Sequence, residues 1–215
     1  MKTHKTALRV GITGNIGSGK TTVCRMFEAL GIPVYYADDA AKWLSANDPD
    51  VKAAIIGLLG PEAYTPEGAY NRAYVAQIVF ANKEKLAGLN AILHPAVEQH
   101  SQDWHEQQLA ALAPPYTLKE AALMIESGSY RHLDQLIVVT APETLRLTRV
   151  VTRDGADAAS VQARMQRQLA EEEKVQLADF IIVNDGSRLL TPQVWAIHQA
   201  LCAKSFFEKN FVGKG

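Results

Sequence analysis

The sequence predicts an α/β fold built on a doubly wound parallel sheet, and three observations carry that reading. Short apolar runs alternate with stretches of helical periodicity. Leu136-Ile-Val-Val139 is continuously apolar, as in a parallel strand covered on both faces. The first apolar run ends in a glycine-rich turn that leads straight into a helix, the strand–turn–helix order of such sheets.

The elements follow in order. Leu8–Thr13 is the first strand. A helix over Thr21–Leu30 carries Val23, Met26, Phe27 and Leu30 on one stripe, and Gly31 ends it as a left-handed C-terminal glycine. Ile32–Tyr36 is the second strand, and Asp38–Ala46 is helical. Asp48-Pro49 reads as N-cap and first residue of a helix to about Leu59. Gly60–Gly68, with Pro61 and Pro66, is loop. Asn71–Phe80, Lys83–Leu93 and Pro95–Leu112 read as three helices that interrupt the alternation, an inserted helical subdomain. Tyr116–Ile125 returns to strand. After Leu136–Val139, Thr140 and Glu143 form a capping-box pair around Pro142. Phe180–Val183 is the last strand, and Thr191-Pro192 opens the C-terminal helix.

Length and composition exclude several classes. The 215 residues suit one core with a substantial appendage. Hydrophobic residues are 47 % and charged residues 21 %, with mean hydropathy −0.09, values of a globular chain. The longest stretch without a formal charge is Leu189–Ala203, shorter than the ~20 apolar residues a membrane span needs. The basic start Met1–Lys5 is followed by no apolar signal core. Two cysteines, Cys24 and Cys202, make no disulfide framework, so a cytoplasmic protein is expected. The net charge of −1 argues against a nucleic-acid binder. Within that balance Arg146, Arg149, Arg153, Arg164 and Arg167 cluster, which suggests an anionic partner at one place.

The chemistry starts at Gly14-Asn15-Ile16-Gly17-Ser18-Gly19-Lys20-Thr21, a match to G-x-x-x-x-G-K-[ST] between a strand and a helix. Successive backbone N–H groups there form a concave anion site, and the helix N-terminus adds donors. Lys20 reaches the β- and γ-phosphates, and the Thr21 hydroxyl ligates Mg²⁺. A plain strand-to-helix turn needs neither the lysine nor the hydroxyl. The motif alone does not separate a kinase from a GTPase or a motor. The chain lacks the N-K-x-D tetrapeptide of GTPases and is short for a motor. A small phosphate-loop protein with a late arginine cluster looks like a nucleotide or metabolite kinase, whose lid arginines close over the transferring phosphate.

Further stretches make the chain resemble the dephospho-CoA kinases from about Leu8 to Gly186. They are Val10–Thr22, Ala37-Asp38, Arg72 with Ile78–Asn82, Leu89-Asn-Ala-Ile-Leu-His-Pro95, and Leu123-Met-Ile-Glu126-Ser127. Arg149 with Arg153-Asp154, Arg164-Met-Gln-Arg-Gln168, Ala178-Asp179 and Asn184-Asp-Gly186 complete the set. The resemblance implies a P-loop NTPase three-layer fold with a five-stranded parallel sheet, a helical substrate domain and an Arg-rich lid. On that pattern the core spans about 8–47, 115–145 and 178–215, the insertion about 48–114 and the lid about 146–177. It implies phosphoryl transfer from ATP, with Mg²⁺, to the ribose 3′-hydroxyl of dephospho-CoA. The expected partners are those two substrates, with no nucleic acid and no membrane, in a monomer or weak homo-oligomer. Four departures stand out: Tyr36 where the family often has Asp, Lys42 for Arg, Ala122 for Pro, and Glu120 for Asp.

Single residues then divide as follows. Gly14 to Thr22 bind ATP. Asp38 could accept the proton of an attacking hydroxyl, help hold Mg²⁺, or merely cap the next helix; the resemblance favours the catalytic role. Arg72 sits at a helix start, where a cation is disfavoured unless an anion is near, so it is a candidate for substrate phosphate. The resemblance adds His94 and Glu126 as substrate-side residues. His94, His100 and His105 lack the i, i+4 spacing of a helical zinc site, so no structural metal is expected. Arg149 and Arg153 share a helix face and suit phosphate, with Arg149 catalytic together with Lys20 and Asp38, and Arg153 on ATP. Arg164 and Arg167 stay open between phosphate contact and a solvated face. Asn184 is open between base contact and a tight turn. Gly155 is the expected hinge of a lid over 149–174 that is mobile without nucleotide.

Overall fold

The computed structural model describes residues 7–211, with side chains to Glu208. The chain forms two compact units, Tyr36–Trp104 in one and the residues before and after it in the other.

The larger unit is organised by a five-stranded parallel sheet. Its strands are β1 (Leu8–Thr13), β2 (Val34–Tyr36), β3 (Tyr116–Glu120), β4 (Gln135–Thr140) and β5 (Phe180–Val183), in the order β2-β3-β1-β4-β5. β1 is central, with Ile12 registered on Glu120 of β3 and on Ile137 of β4. Every residue of β3 and five of six in β4 are buried. In β4 this explains the unbroken apolar run Leu136–Val139, whereas β3 buries Thr117, Lys119 and Glu120 among its apolar residues. α1 (Lys20–Ala29) buries Val23, Cys24 and Phe27, and the Phe27 ring meets Tyr116 edge-on at 6.4 Å. α9 (Leu190–Phe211) buries Val194, Ile197 and Leu201. The helices α6 (Glu143–Asp154), α7 (Ala158–Met165) and α8 (Glu171–Gln176) lie between β4 and β5 in the chain.

The smaller unit is helical. α2 (Ala37–Asn47) is followed by α3 (Pro49–Leu59), whose N-cap Asp48 accepts from the Asp50 and Val51 amides with Pro49 at the first position, as predicted. A 3₁₀ turn at Pro61–Ala63 opens the following loop. α4 (Arg72–Ala81) starts behind Asn71, whose side chain accepts from the Tyr74 amide. The Tyr64 hydroxyl donates to the Ser45 carbonyl at 2.8 Å, and Lys52 lies 4.8 Å over its ring. Burial pushes the Tyr64 phenol up to about 12.

Four expectations are corrected. The two helices expected over 83–93 and 95–112 are one, α5 (Lys83–Leu112), with Pro95 inside. Proline removes a single N–H from the ladder, and buried Leu89 and Val97 hold the helix on either side of it. The third strand stops at Glu120, not Ile125. Turns follow, and Met124 and Ile125 are apolar because they pack with Leu136 and Val138. The second strand starts at Val34, beyond Pro33. No capping box forms at Thr140 either: its hydroxyl donates to the Ile182 carbonyl at 3.5 Å, and Pro142 is the N-cap without a side-chain bond. Thr140 is the last residue of β4, so the sheet has already fixed where its hydroxyl points.

Candidate active site

β1 runs directly into the phosphate loop. The Thr13 hydroxyl donates to the Ala121 carbonyl at 2.8 Å, and the Ser18 amide to the Asn15 carbonyl at 3.0 Å, which curls the loop. Gly17 has φ 81°, and a Cβ there would lie 2.5 Å from the Arg146 carbonyl oxygen. Gly19, at φ 96°, is the N-cap of α1, and a Cβ on it would strike the Asn184 side-chain amide. These glycines are required by protein neighbours as well as by any phosphate. Lys20 Nζ donates to the Gly14 carbonyl at 2.8 Å and so spans the loop. α1 has no side-chain cap and no acid in its first turn, which instead contains Lys20 and the exposed Thr21 and Thr22. A helix start without a carboxylate, and with a cation, suits an external anion.

The far wall of the loop comes from after β4 and β5. Arg149, in α6, donates Nη1 to the Gly17 carbonyl at 3.4 Å and Nη2 to both the carbonyl and the side-chain oxygen of Asn184 at 3.2 Å. The Asn184 side-chain amide donates to the Ser18 carbonyl at 2.8 Å. Asn184 is thus a clasp between the loop and α6. Arg146 is buried, donating Nε to the Ala141 carbonyl at 2.9 Å with Glu171 at 3.9 Å. Glu171 also accepts from the Ala141 amide, and burial raises its carboxyl above the ordinary value.

A third side is the segment after α7. Gln168 accepts the Ile16 amide at 2.8 Å, and Asn15 donates to the Leu169 carbonyl at 3.3 Å. The Leu169 amide donates to Glu126, whose carboxylate lies 2.7 Å from the fully buried Lys174 ammonium. The same glutamate therefore ties the turn after β3 to the start of α8. Its other oxygen is buried with no partner, as are Asn15 Oδ1 and Ser18 Oγ. Sequence reasoning did not single out Gln168, Lys174 or Arg146 as site residues. The first two lie in a polar stretch without a periodic signal, and Arg146 was read only as part of a cluster.

The remaining sequence-predicted residues are placed as follows. Asp38 is the second residue beyond β2, exposed in the first turn of α2; Tyr36 is that helix's N-cap position, without a side-chain cap bond. The capping reading of Asp38 is thus absent from the structure. Arg72 is the exposed first residue of α4, and His94 is exposed in α5 next to Pro95. Arg153 is exposed and forks onto Asp154 at 2.7 and 3.2 Å, while Arg164 reaches the same carboxylate at 3.5 Å. The hydrogen bond from Arg153 is the main reason the Asp154 carboxyl is held below its ordinary value. Gly155 ends α6 in the left-handed conformation. Among the described residues no three His, Cys, Asp or Glu gather as a metal cage.

The arrangement is a glycine-rich backbone loop at the start of a helix, with Lys20 across it and an Arg149–Asn184 clasp behind. A family model described as dephospho-CoA kinase matches residues 8–189. The chain belongs to the dephospho-CoA kinase family. A dephospho-CoA kinase of Chlorobaculum tepidum is 40 % identical over 199 residues, covering 90 % of this chain and 95 % of that one. A solved Thermus thermophilus structure superimposes with TM-score 0.76 at 32 % identity, covering 93 % and 98 %. A solved dephospho-CoA kinase from Campylobacter jejuni gives TM-score 0.60 at 28 % identity, covering 93 % and 96 %. Membership of the dephospho-CoA kinase family makes the chain an ATP-dependent kinase on the P-loop kinase fold. No helix among the described residues is long and apolar enough to cross a membrane.

Proposed function

We propose that the chain transfers the γ-phosphoryl group of ATP to the ribose 3′-hydroxyl of dephospho-CoA, giving ADP and CoA. The observation that carries the reading is the loop Gly14–Thr21 with Lys20 across it and Arg149 clasped to Asn184, in a chain of this family. The loop amides and Lys20 bind the β- and γ-phosphates. Arg149 supports the loop from behind and supplies a fixed positive charge as the phosphoryl group moves. Such transfer depends on positioning and electrostatics more than on covalent chemistry. Asp38, exposed and engaged in no cap, accepts the proton of the attacking hydroxyl.

The donor set fits Mg²⁺. This ion takes oxygen ligands, few of them from protein and the rest from phosphates and water. The exposed Thr21 hydroxyl is such a donor, and the ion when bound neutralises charge on the transferring phosphate. Residues 36–104 act as the substrate domain, with Arg72 and His94 toward dephospho-CoA. Glu126 serves the substrate side through the turn it anchors. Residues 146–177 form the lid, and Arg153 turns from Asp154 to ATP. We place the enzyme in the cytoplasm, which its two free cysteines support, and take it as a monomer or weak homo-oligomer.

The test is ADP release with ATP and Mg²⁺, in the presence and absence of dephospho-CoA and of a panel of other hydroxyl acceptors. Release that depends on dephospho-CoA, with formation of CoA, is expected. Slow release that is equal with and without any acceptor would mark a nucleotide switch instead.

A further inference from the structure

Two contacts join the phosphate loop to the arginine-bearing helices through one residue. The Ile16 side chain packs into the cluster of Val150, Val161 and Met165, on α6 and α7. Its backbone N–H leaves the loop in another direction and is accepted by the Gln168 side chain at 2.8 Å. Gln168 lies three residues past the end of α7, and the next residue, Leu169, is fixed twice, by Asn15 and by Glu126. The glutamine is thus held at its own backbone and bonded to the loop at its tip.

We propose that Gln168 is a positioning residue for phosphoryl transfer. Its side-chain carbonyl holds the Ile16 N–H out of the phosphate cradle and couples the curvature of the loop to the placement of α6 and α7. This rests on the kinase reading above and goes beyond it, because Gln168 acts through the Ile16 amide. The coupling has a physical basis. A backbone amide without its acceptor can rotate only if the neighbouring peptide units rotate with it, and these are the units that line the cradle. A phosphate that fixes the cradle therefore fixes Ile16, and Ile16 fixes the α6–α7 cluster. Arginines on those helices then arrive in one place, and water is kept from the γ-phosphate.

The experiment compares Gln168→Met with Gln168→Glu. Methionine keeps the length and removes the carbonyl acceptor; glutamate keeps an acceptor oxygen. Four quantities are read: thermal midpoint, ATP affinity by direct titration, kcat and KM for each substrate, and the fraction of ADP formed without transfer to dephospho-CoA. For Gln168→Met we expect an unchanged midpoint and KM for dephospho-CoA. We expect kcat/KM for ATP to fall about 3- to 10-fold, the worth of one hydrogen bond, and the untransferred fraction to rise. Gln168→Glu should return that fraction to the parent value. The proposal is overturned if Gln168→Met at an intact midpoint keeps the parent's ATP affinity and transfer fraction. It is equally overturned if the two variants lose midpoint and activity together, because that is packing alone. If the parent itself fails to phosphorylate dephospho-CoA, the kinase reading falls. The ATP titration of the two variants still decides the role of Gln168.

Discussion

Arg149 holds Asn184 by two acceptors at once: one guanidinium nitrogen lies 3.2 Å from both its carbonyl and its side-chain oxygen. Asn184 in turn donates to the Ser18 carbonyl, so the arginine is oriented before any ligand arrives. A charge fixed in this way costs no reorganisation when negative charge develops beside it.

Arg149→Ala should accordingly lower kcat by about 10²-fold, while KM for dephospho-CoA changes little. Arg149→Lys should restore only a small part, because an ammonium cannot reproduce the fork that bonds Gly17 and Asn184 together. Steady-state kinetics with each substrate varied in turn checks both. Full activity in the lysine variant would reduce Arg149 to a non-specific positive charge.

Asp38 is separated from a structural role by the position of the cap. Tyr36 occupies the N-cap of α2 without a side-chain cap bond, and Asp38 is exposed. Asp38→Asn should therefore leave the thermal midpoint near the parent value and depress kcat by roughly 10²–10⁴-fold, the worth of a general base. Binding of either substrate should change much less. Near-normal turnover would remove Asp38 from the reaction.

The phosphate loop was legible because its chemistry is local: glycine, lysine and hydroxyl at fixed spacing, between a strand and a helix. The strand positions of the core were legible for a similar reason, since burial on both faces leaves a continuous apolar run such as Leu136–Val139. What could not be seen depends on long-range placement. Thr140 and Glu143 have the spacing of a capping box, but the hydroxyl belongs to the sheet and turns to Ile182. Met124 and Ile125 extend an apolar stretch without extending the strand. Gln168 meets Ile16, and Glu126 meets Lys174, across separations that no periodicity encodes. Pro95 marked a helix end locally, and tertiary packing overrode it.

A pH dependence of stability follows from His105. Its ring is buried with Nδ1 2.8 Å from the Thr117 hydroxyl, and burial, then the nearby charge of Arg9, holds the imidazole below its ordinary value. The folded chain therefore prefers neutral His105. Below about pH 6.5 the unfolded chain binds more protons than the folded one, so stability falls as pH drops from there toward the folded value. Above pH 7 this contribution is constant. Desolvation depresses His94 and His198 as well, so the three act in the same direction. The thermal midpoint should be lower at pH 5.5 than at pH 7.5, and the difference should shrink in His105→Gln, whose amide can still bond Thr117. An undiminished difference in that variant would assign the acid sensitivity to other groups.

The segment proposed as the lid, residues 146–177, has anchors at both ends, and they limit what can move. At the near end Arg146 and Arg149 are bonded to Ala141, Gly17 and Asn184. At the far end Gln168 and Leu169 are bonded to Ile16, Asn15 and Glu126, and Glu171 accepts from Ala141. Between them Gly155 ends α6 with φ 60°, and Asp157, accepting from the Ser160 amide, restarts the chain as α7. Arg153 and Arg164 both lean on the exposed Asp154, an arrangement of surface ion pairs that holds little energy against solvent. The moving part is thus expected at about 153–164, with α7 pivoting at Gly155 while Ile16 keeps its inner face seated. Hydrogen exchange should show residues 153–164 gaining protection when ATP and dephospho-CoA are bound together. Residues 168–174 should be protected already in the free protein. Gly155→Ala would oppose the left-handed backbone at the pivot, and should slow turnover more than it weakens binding of ATP. Equal exchange over 153–164 with and without both substrates would make α6 and α7 a fixed pair, and closure would then have to come from elsewhere in the chain.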